Sequence, residues 1–377
     1  MSVHRIEDDY TMLIPTFNRA ECLRRQMGYL AAKTVQFPII VLDSSEPDVQ
    51  VLNRKACEDS ALNVSYRSYS KDVEFKEKVY DGLRSVVTPY ASLCTDDDII
   101  CFESLMDSVH VLRQDNSCVA SHGCYVSIQR KSDNQYCIRF EYGSSLEHTG
   151  VIERITMLML DYEPVFYAVF RTAILRDIFQ YVLRVQSYMF QELFLAIAPL
   201  GNGKIKRLSS VYCVRSQLHG PAEGNIARWH PNNWLAENPK EMFSVYGEYK
   251  TVLLNYLGSV CEMVKNDSYY ERVLDLVHSI YFTRNFDTQY IVNTISKEFG
   301  FRHYEMIQPQ KIPFLERIAN RAARIHGHLR GGDRTYERRS VEGLGMRYDV
   351  GPDVASKVEK EDLIRIIDDI HSYLTIR

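Results

Sequence analysis

Tyr90-Ala-Ser-Leu-Cys-Thr-Asp-Asp-Asp98 decides how the chain is read. An apolar, strand-like run over 90–94 passes through Thr95 straight into three adjacent carboxylates. Such acids repel one another, and at a strand end they are costly without a cation to neutralise them. Hard divalent cations take carboxylate oxygens and keep positions for water and phosphate, so the stretch reads as a Mg²⁺ or Mn²⁺ site bridging protein and diphosphate. The plainer alternative is a solvated acidic turn or a helix N-cap, because Ile99 opens a helical pattern and aspartate caps well.

Working outward, the same punctuation recurs upstream. Residues 10–15 form a short apolar run ending in Pro-Thr, and 18–32 carry Leu23, Met27, Leu30 and Ala31 at helical spacing. A β-branched run over 37–42 ends at Asp43-Ser-Ser45, 63–69 alternates, and 73–87 and 102–113 read as helices. This β–α rhythm predicts an α/β fold with a mainly parallel sheet flanked by helices. Ligands of such sheets bind beyond the carboxyl ends of the strands, where the polar residues after each apolar run fall.

Downstream, strands are expected at 118–130, 135–142, 166–171 and 204–215, and helices at 151–160, 172–183 and 188–198. Residues 216–239 are rich in Gly, Pro, Asn, His and Trp, the composition of a functional loop. Residues 240–299 read as predominantly helical, with further helices at 312–329 and 360–374. The boundary is expected near residue 240, between a domain over 1–239 and a mainly helical one over 240–377.

Composition narrows the classes. With 377 residues, 45% hydrophobic and 25% charged, the chain has ordinary globular proportions, which excludes disorder and collagen. Apolar runs such as 37–42 and 165–170 fall far short of the ~20 residues needed to span a bilayer. No leader pattern opens the sequence, so a cytoplasmic protein is expected. A net charge of −4 argues against general nucleic-acid binding. The nine cysteines include no CxxC pair and read as reduced, buried thiols.

The order and spacing of Leu13-Ile-Pro-Thr-Phe-Asn-Arg19, Val41-Leu-Asp-Ser-Ser45 and Asp96–Asp98 resembles the GT-A glycosyltransferases, family 2 above all, over residues 10–215. The resemblance implies a Rossmann-like domain over 1–239 that binds a nucleoside-diphosphate sugar with Mg²⁺ or Mn²⁺. Pro15, Thr16, Phe17 and Arg19 would line the nucleotide, and Asp43 would accept from the base. Asp96 and Asp98 fit the spaced DxD pattern and Asp96-Asp97 the adjacent variant, so ribose and metal roles among the three stay open. Lys78, with Lys76, would lie near the phosphates; a solvated helix face is the alternative for both. His219, in Arg215-Ser-Gln-Leu-His-Gly220, is a candidate further metal ligand.

Inverting transfer also needs a carboxylate to deprotonate the acceptor hydroxyl. The family supplies it from a Glu-Asp pair at the start of a helix. Here Phe190-Gln-Glu-Leu-Phe194 stands at the matching place, with Glu192 lying 94 residues past Asp98 and Gln-Glu replacing Glu-Asp. Glu163, in Asp161-Tyr-Glu-Pro164, is the competitor. Arg228, Trp229, His230 and Trp234 could form a sugar-stacking lid or simply anchor a packed loop. Residues 311–340 hold eight basic and three acidic residues, which suits an anionic membrane surface as well as a solvated face or partner contact. The implied activity is transfer of a sugar to a glycan or lipid-linked glycan, in bacterial surface polysaccharide synthesis. A degenerate binding scaffold is the non-enzymatic rival. A nucleotidyltransferase is the enzymatic one, disfavoured because 13–19 contains no glycine.

Overall fold

The computed structural model of the chain describes residues 5–132, 135–142, 145–160, 162–216, 238–262, 268–284, 335–339 and 345–350. Its sheet opens with four parallel strands in the order β3 (Val64–Ser68), β2 (Ile39–Asp43), β1 (Tyr10–Thr16), β4 (Tyr90–Leu93). Every residue of β1, β2 and β4 is buried, as expected of apolar runs covered on both faces. β3, at the edge, is half exposed. From β1 the chain steps outward to β2 and β3 and then returns to the far side of β1. β1 and β4 therefore flank a topological switch point, where a crevice opens at the strands' carboxyl ends.

Helices α1 (Ala20–Ala32), α2 (Pro47–Asp59), α3 (Phe75–Ser85) and α4 (Phe102–Gln114) follow β1, β2, β3 and the short β5 (Ile99–Ile100). Gly82 lets α3 press onto the sheet: a Cβ there would lie 2.9 Å from Leu42 Cδ1 and 3.0 Å from Leu13 Cδ2. One helical turn earlier on the same face, Lys78 is thereby brought over the ends of β1 and β2. Ile99 does not begin a helix, as its pattern suggested. It pairs in β5 with Val214, so the turn between β4 and β5 is pinned at both ends.

In the second half, β6 (Cys118–Ser132) pairs antiparallel with β7 (Gln135–Tyr142) and β8 (Val169–Arg171), and parallel with β9 (Lys204–Ser216). β8 runs antiparallel to β4 and joins the two halves into one sheet. Helices α5 (Val151–Leu160), α6 (Thr172–Val182) and α7 (Tyr188–Asn202) lie between these strands in sequence. α7 continues past residue 198, running through Pro199, where a proline normally ends a helix. Arg154 donates through Nε and Nη2 to the Leu200 carbonyl at 3.1 and 2.7 Å, satisfying a carbonyl near the helix end.

Two further helices, α8 (Pro239–Val260) and α9 (Ser268–Arg284), follow residue 238. α8 rests on α7: the Phe190 and Tyr249 rings stack at 4.8 Å, and Gly201 lies against Leu257 and Val260. β10 (Thr335–Arg339) pairs antiparallel with β11 (Gly345–Val350), which adds to the sheet parallel to β7. These strands were not foreseen in a stretch read as mainly helical. The expected helices at 312–329 and 360–374, and the loop residues 217–237, lie outside the described residues. None of the nine cysteines forms a disulfide, and eight of them are buried. No described helix is long and apolar enough to cross a membrane.

Two fully buried histidines give the fold a sensitivity to acid. His122 shares Nδ1 with the Gly123 carbonyl at 2.8 Å; His278 lies between the Leu274 carbonyl at 2.7 Å and the Tyr249 hydroxyl at 2.9 Å. Burial pushes both down to about 4. Their contribution is fully present above the ordinary histidine value near 6.5 and is lost as pH falls towards 4, because the unfolded chain takes the protons first. Each site is worth up to about 3 kcal/mol over that window. His278→Gln is expected to flatten the fall of melting temperature between pH 6.5 and 5, whereas an unchanged slope would remove His278 from the account.

Candidate active site

The crevice at the switch point is built from loops that tie one another in place. After β1 the chain turns through Asn18, whose φ of 54° lies in the left-handed region that asparagine tolerates. Its backbone N–H donates to Ser45 Oγ at 2.8 Å, and its side-chain oxygen accepts from the Glu46 N–H at 2.9 Å. The loops after β1 and β2 are thus sewn together. Pro15 and Thr16 are buried within β1, while Phe17 is turned outward and is 49% exposed.

Asp43 ends β2 with no exposure to solvent. Its Oδ1 accepts from the Ser45 N–H at 2.7 Å, and its Oδ2 from Asn53 Nδ2 at 2.7 Å and the Tyr66 hydroxyl at 2.6 Å. The carboxylate therefore holds the Ser44–Ser45 turn, and in this arrangement both its oxygens are engaged by the protein's own donors. Asn53 sits on α2, a helix the sequence reading passed over. Pro47 at its first turn was the available signal.

Lys78 and Lys76 are both buried, so neither lies on a solvated helix face. Lys78 Nζ donates to the Thr16 carbonyl at 2.7 Å and to Ser44 Oγ at 2.8 Å, bridging the ends of β1 and β2. Burial pushes its ammonium down to about 8, against the opposing pull of Asp43 and Asp96. Lys76 points elsewhere, to the Val185 carbonyl and to Glu74 Oε2, each at 3.1 Å.

Across the switch point stand the three acids. Thr16 Oγ1 donates to Asp96 Oδ2 at 2.6 Å. Arg19 Nη1 reaches Asp97 Oδ2 at 2.5 Å and Asp96 Oδ1 at 3.4 Å. Arg25 donates to the Asp97 carbonyl at 3.0 Å. Asp98 Oδ2 accepts from the Tyr167 hydroxyl at 3.0 Å, with Tyr167 in turn bonded to Thr95 Oγ1 at 2.7 Å. Arg215 Nε, at the end of β9, forms an ion pair with Asp98 Oδ2 at 3.6 Å. Burial and the neighbouring Asp97 charge push Asp96 up to about 7, against the Thr16 hydrogen bond and Arg19. The costly cluster is thus answered in part from within the chain, by Arg19 and Arg215.

Three carboxylates thus meet the guanidinium groups of Arg19, Arg25 and Arg215, and these carboxylates are the groups that could hold a hard dication. No group of three His, Cys, Asp or Glu side chains converges on one point among the described residues. Mg²⁺ or Mn²⁺ bound here would have to be held by one or two carboxylates, with phosphate oxygens and water completing the shell. Thr16 and Arg19 engage both oxygens of Asp96, and Tyr167 and Arg215 both face Asp98 Oδ2. His219 lies outside the described residues, as do Arg228, Trp229, His230 and Trp234.

Glu192 lies half-buried near the start of α7. Burial raises its pKa, while a 2.9 Å hydrogen bond from the Tyr162 hydroxyl and the charge of Arg215 pull the other way. A carboxyl whose pKa is raised is a stronger base than an ordinary one. Gln191 explains its own departure from the Glu-Asp pattern. Its amide donates to the Val185 and Gln186 carbonyls at 3.0 and 3.4 Å, which a carboxylate cannot do, and so anchors the turn before α7. Tyr188, 51% exposed and one turn before Glu192, lies close enough to feel the charges of Glu192, Asp97, Arg19 and Arg215. Glu163 is fully buried, 3.8 Å from His122 Nε2.

Arg215, Tyr162, Tyr167 and Tyr188 were not picked out from sequence as site residues. Arg215 and Tyr162 stood inside segments quoted for His219 and Glu163. A tyrosine or arginine at a strand or helix end carries no local pattern that separates it from a packing residue.

The chain matches no protein-family model and no curated protein. Among solved structures it is similar to residues 1–349 of TarS from S. aureus, at 15% identity and a TM-score of 0.42, over 78% of this chain and 93% of that one. TarS has also been solved with UDP-GlcNAc and with UDP. The mannosyltransferase PcManGT from Pyrobaculum calidifontis, solved with GDP-Man and Mn²⁺, is similar at 12% identity and a TM-score of 0.42, over 84% and 80% of the two chains. The 4-diphosphocytidyl-2C-methyl-D-erythritol synthase of Anaerococcus prevotii is similar at 9% identity and a TM-score of 0.34, over 56% and 90%.

Proposed function

We propose that the chain is a glycosyltransferase that takes a sugar from a nucleoside-diphosphate donor and passes it, with inversion, to a hydroxyl of a glycan or lipid-linked glycan. One observation carries this reading: Arg215 pairs with Asp98 at 3.6 Å and its charge is also felt by Glu192, so acid cluster and candidate base lie around one arginine. Thr16, Arg19 and the Lys78-braced loops after β1 and β2 receive the nucleotide. With both Asp43 oxygens engaged by Ser45, Asn53 and Tyr66, the nucleobase is read through the Ser44–Ser45 turn that Asp43 holds. Asp98, with Asp96 beside it, would hold Mg²⁺ or Mn²⁺, which when bound supplies charge stabilisation for a departing diphosphate. Glu192 takes the proton from the acceptor hydroxyl as its oxygen bonds to the anomeric carbon and the bond to the diphosphate breaks.

A thermal-shift screen of nucleoside diphosphates and their sugars, with and without Mn²⁺, tests the donor half of this reading. One nucleotide is expected to raise the melting temperature selectively, and more so with metal, by mass action on the folded state. If none shifts it under either condition, the transferase reading gives way to a scaffold.

A further inference from the structure

Glu192 is faced by four polar side chains from four parts of the chain. The Tyr162 hydroxyl donates to Oε1 at 2.9 Å from the segment that precedes the 3-10 turn Val165–Tyr167. Tyr281 on α9 sets its ring edge-on to Tyr162 at 4.7 Å and 65°, and lies near enough to Glu192 to feel its charge. Tyr188 stands one turn earlier on α7, and Arg215 acts from the end of β9. Tyr162 hydrogen-bonds the carboxylate, and it has a support of its own behind it.

We propose that Tyr162, braced by Tyr281, is the positioning residue of this site: it fixes one carboxylate oxygen of Glu192 and leaves the other for the acceptor hydroxyl. This rests on the reading of Glu192 as base. A glutamate has one more rotatable bond than the aspartate usual at such a position, and ordering a long side chain costs conformational entropy. A hydrogen bond from a fixed phenol removes that freedom at the right atom. Burial and the Glu192 charge keep the Tyr162 hydroxyl protonated, so it acts only as a donor to the carboxylate. The brace comes from α9, which gives that helix a part in aligning the base as well as in covering the core. An edge-to-face aromatic contact suits this work, because it holds a ring's direction as well as its place.

Tyr162→Phe keeps the ring and its contact with Tyr281 and removes only the hydroxyl. Two readouts test it. The Glu192 carboxyl, identified in isotope-edited infrared spectra as the band lost in Glu192→Gln, is expected to titrate at higher pH in Tyr162→Phe, since a hydrogen bond that favours the charged form is gone. Release of nucleoside diphosphate from a panel of UDP-, GDP- and dTDP-sugars, with water as acceptor, is expected to fall roughly tenfold with nucleotide affinity unchanged. In the Glu192→Gln background the same change is expected to do nothing further, because the two residues act through one contact. An unmoved carboxyl titration, or an equal loss of turnover in both backgrounds, overturns the proposal. Turnover that survives Glu192→Gln while the titration still shifts in Tyr162→Phe would instead remove Glu192 as base and leave the contact standing.

Discussion

Glu192→Gln is expected to lower sugar transfer at least ~100-fold while leaving nucleotide affinity unchanged, the usual scale for losing a general base. The amide has the shape of the carboxylate and still accepts from the Tyr162 hydroxyl, so α7 and its neighbours have no reason to move. What disappears is the capacity to take a proton. The donor-side contacts of Thr16, Arg19, Lys78 and Asp98 do not involve Glu192, which is why affinity and turnover should separate. Steady-state kinetics with nucleotide titration on the same preparation would read both. Transfer that persists would send the search for the base elsewhere. Glu163 is a poor successor: it has no solvent exposure and faces His122, so Glu163→Gln should alter stability before rate.

The strand ends around this candidate site were legible in the sequence, for a physical reason. In a parallel sheet the strand is an uninterrupted apolar run, and its end is marked by the first polar residue, so Thr16, Asp43 and Asp96 were visible as ends before any coordinates. What the sequence could not show was how those ends are satisfied. Asp43 is legible as a strand-end acid, but its partners Asn53 and Tyr66 lie 10 and 23 residues away, on elements whose pairing only the fold reveals. Lys78 illustrates the same limit. Its helix was foreseen, and so was a solvated face, because nothing local announces that Gly82 allows α3 to sink onto Leu13 and Leu42. Ile99 was misread for a related cause: a two-residue strand has no period of its own, and its partner Val214 is more than a hundred residues away. β11 likewise pairs with β7 across some two hundred residues, beyond the reach of any window read along the chain.

Asp98→Asn and Asp96→Asn should fail in different ways, although only Asp97 separates them. Asp98 binds the Tyr167 hydroxyl and faces Arg215, whose charge Glu192 also feels. Losing its charge should erase the gain in donor affinity that Mn²⁺ provides, and leave the metal-free affinity close to that of the unaltered protein. Asp96 instead fastens the segment after β1, accepting from Thr16 and Arg19 across the switch point. Weakening a charge-assisted contact of this kind costs about 1.5–3 kcal/mol, so nucleotide affinity should fall roughly 10- to 100-fold with or without metal. Stability should move the other way. The Asp96 carboxylate is buried beside Asp97, and burial and like charge are both unfavourable to it. Asp96→Asn relieves both and should keep or raise the melting temperature, the trade expected where a site holds charge for binding rather than for folding. Calorimetric titration of each variant with the nucleotide found in the screen, in Mn²⁺ and in EDTA, separates the two outcomes. Equal losses in both buffers for Asp98→Asn would take the metal away from that carboxylate. A melting temperature that drops with affinity in Asp96→Asn would make Asp96 a structural acid.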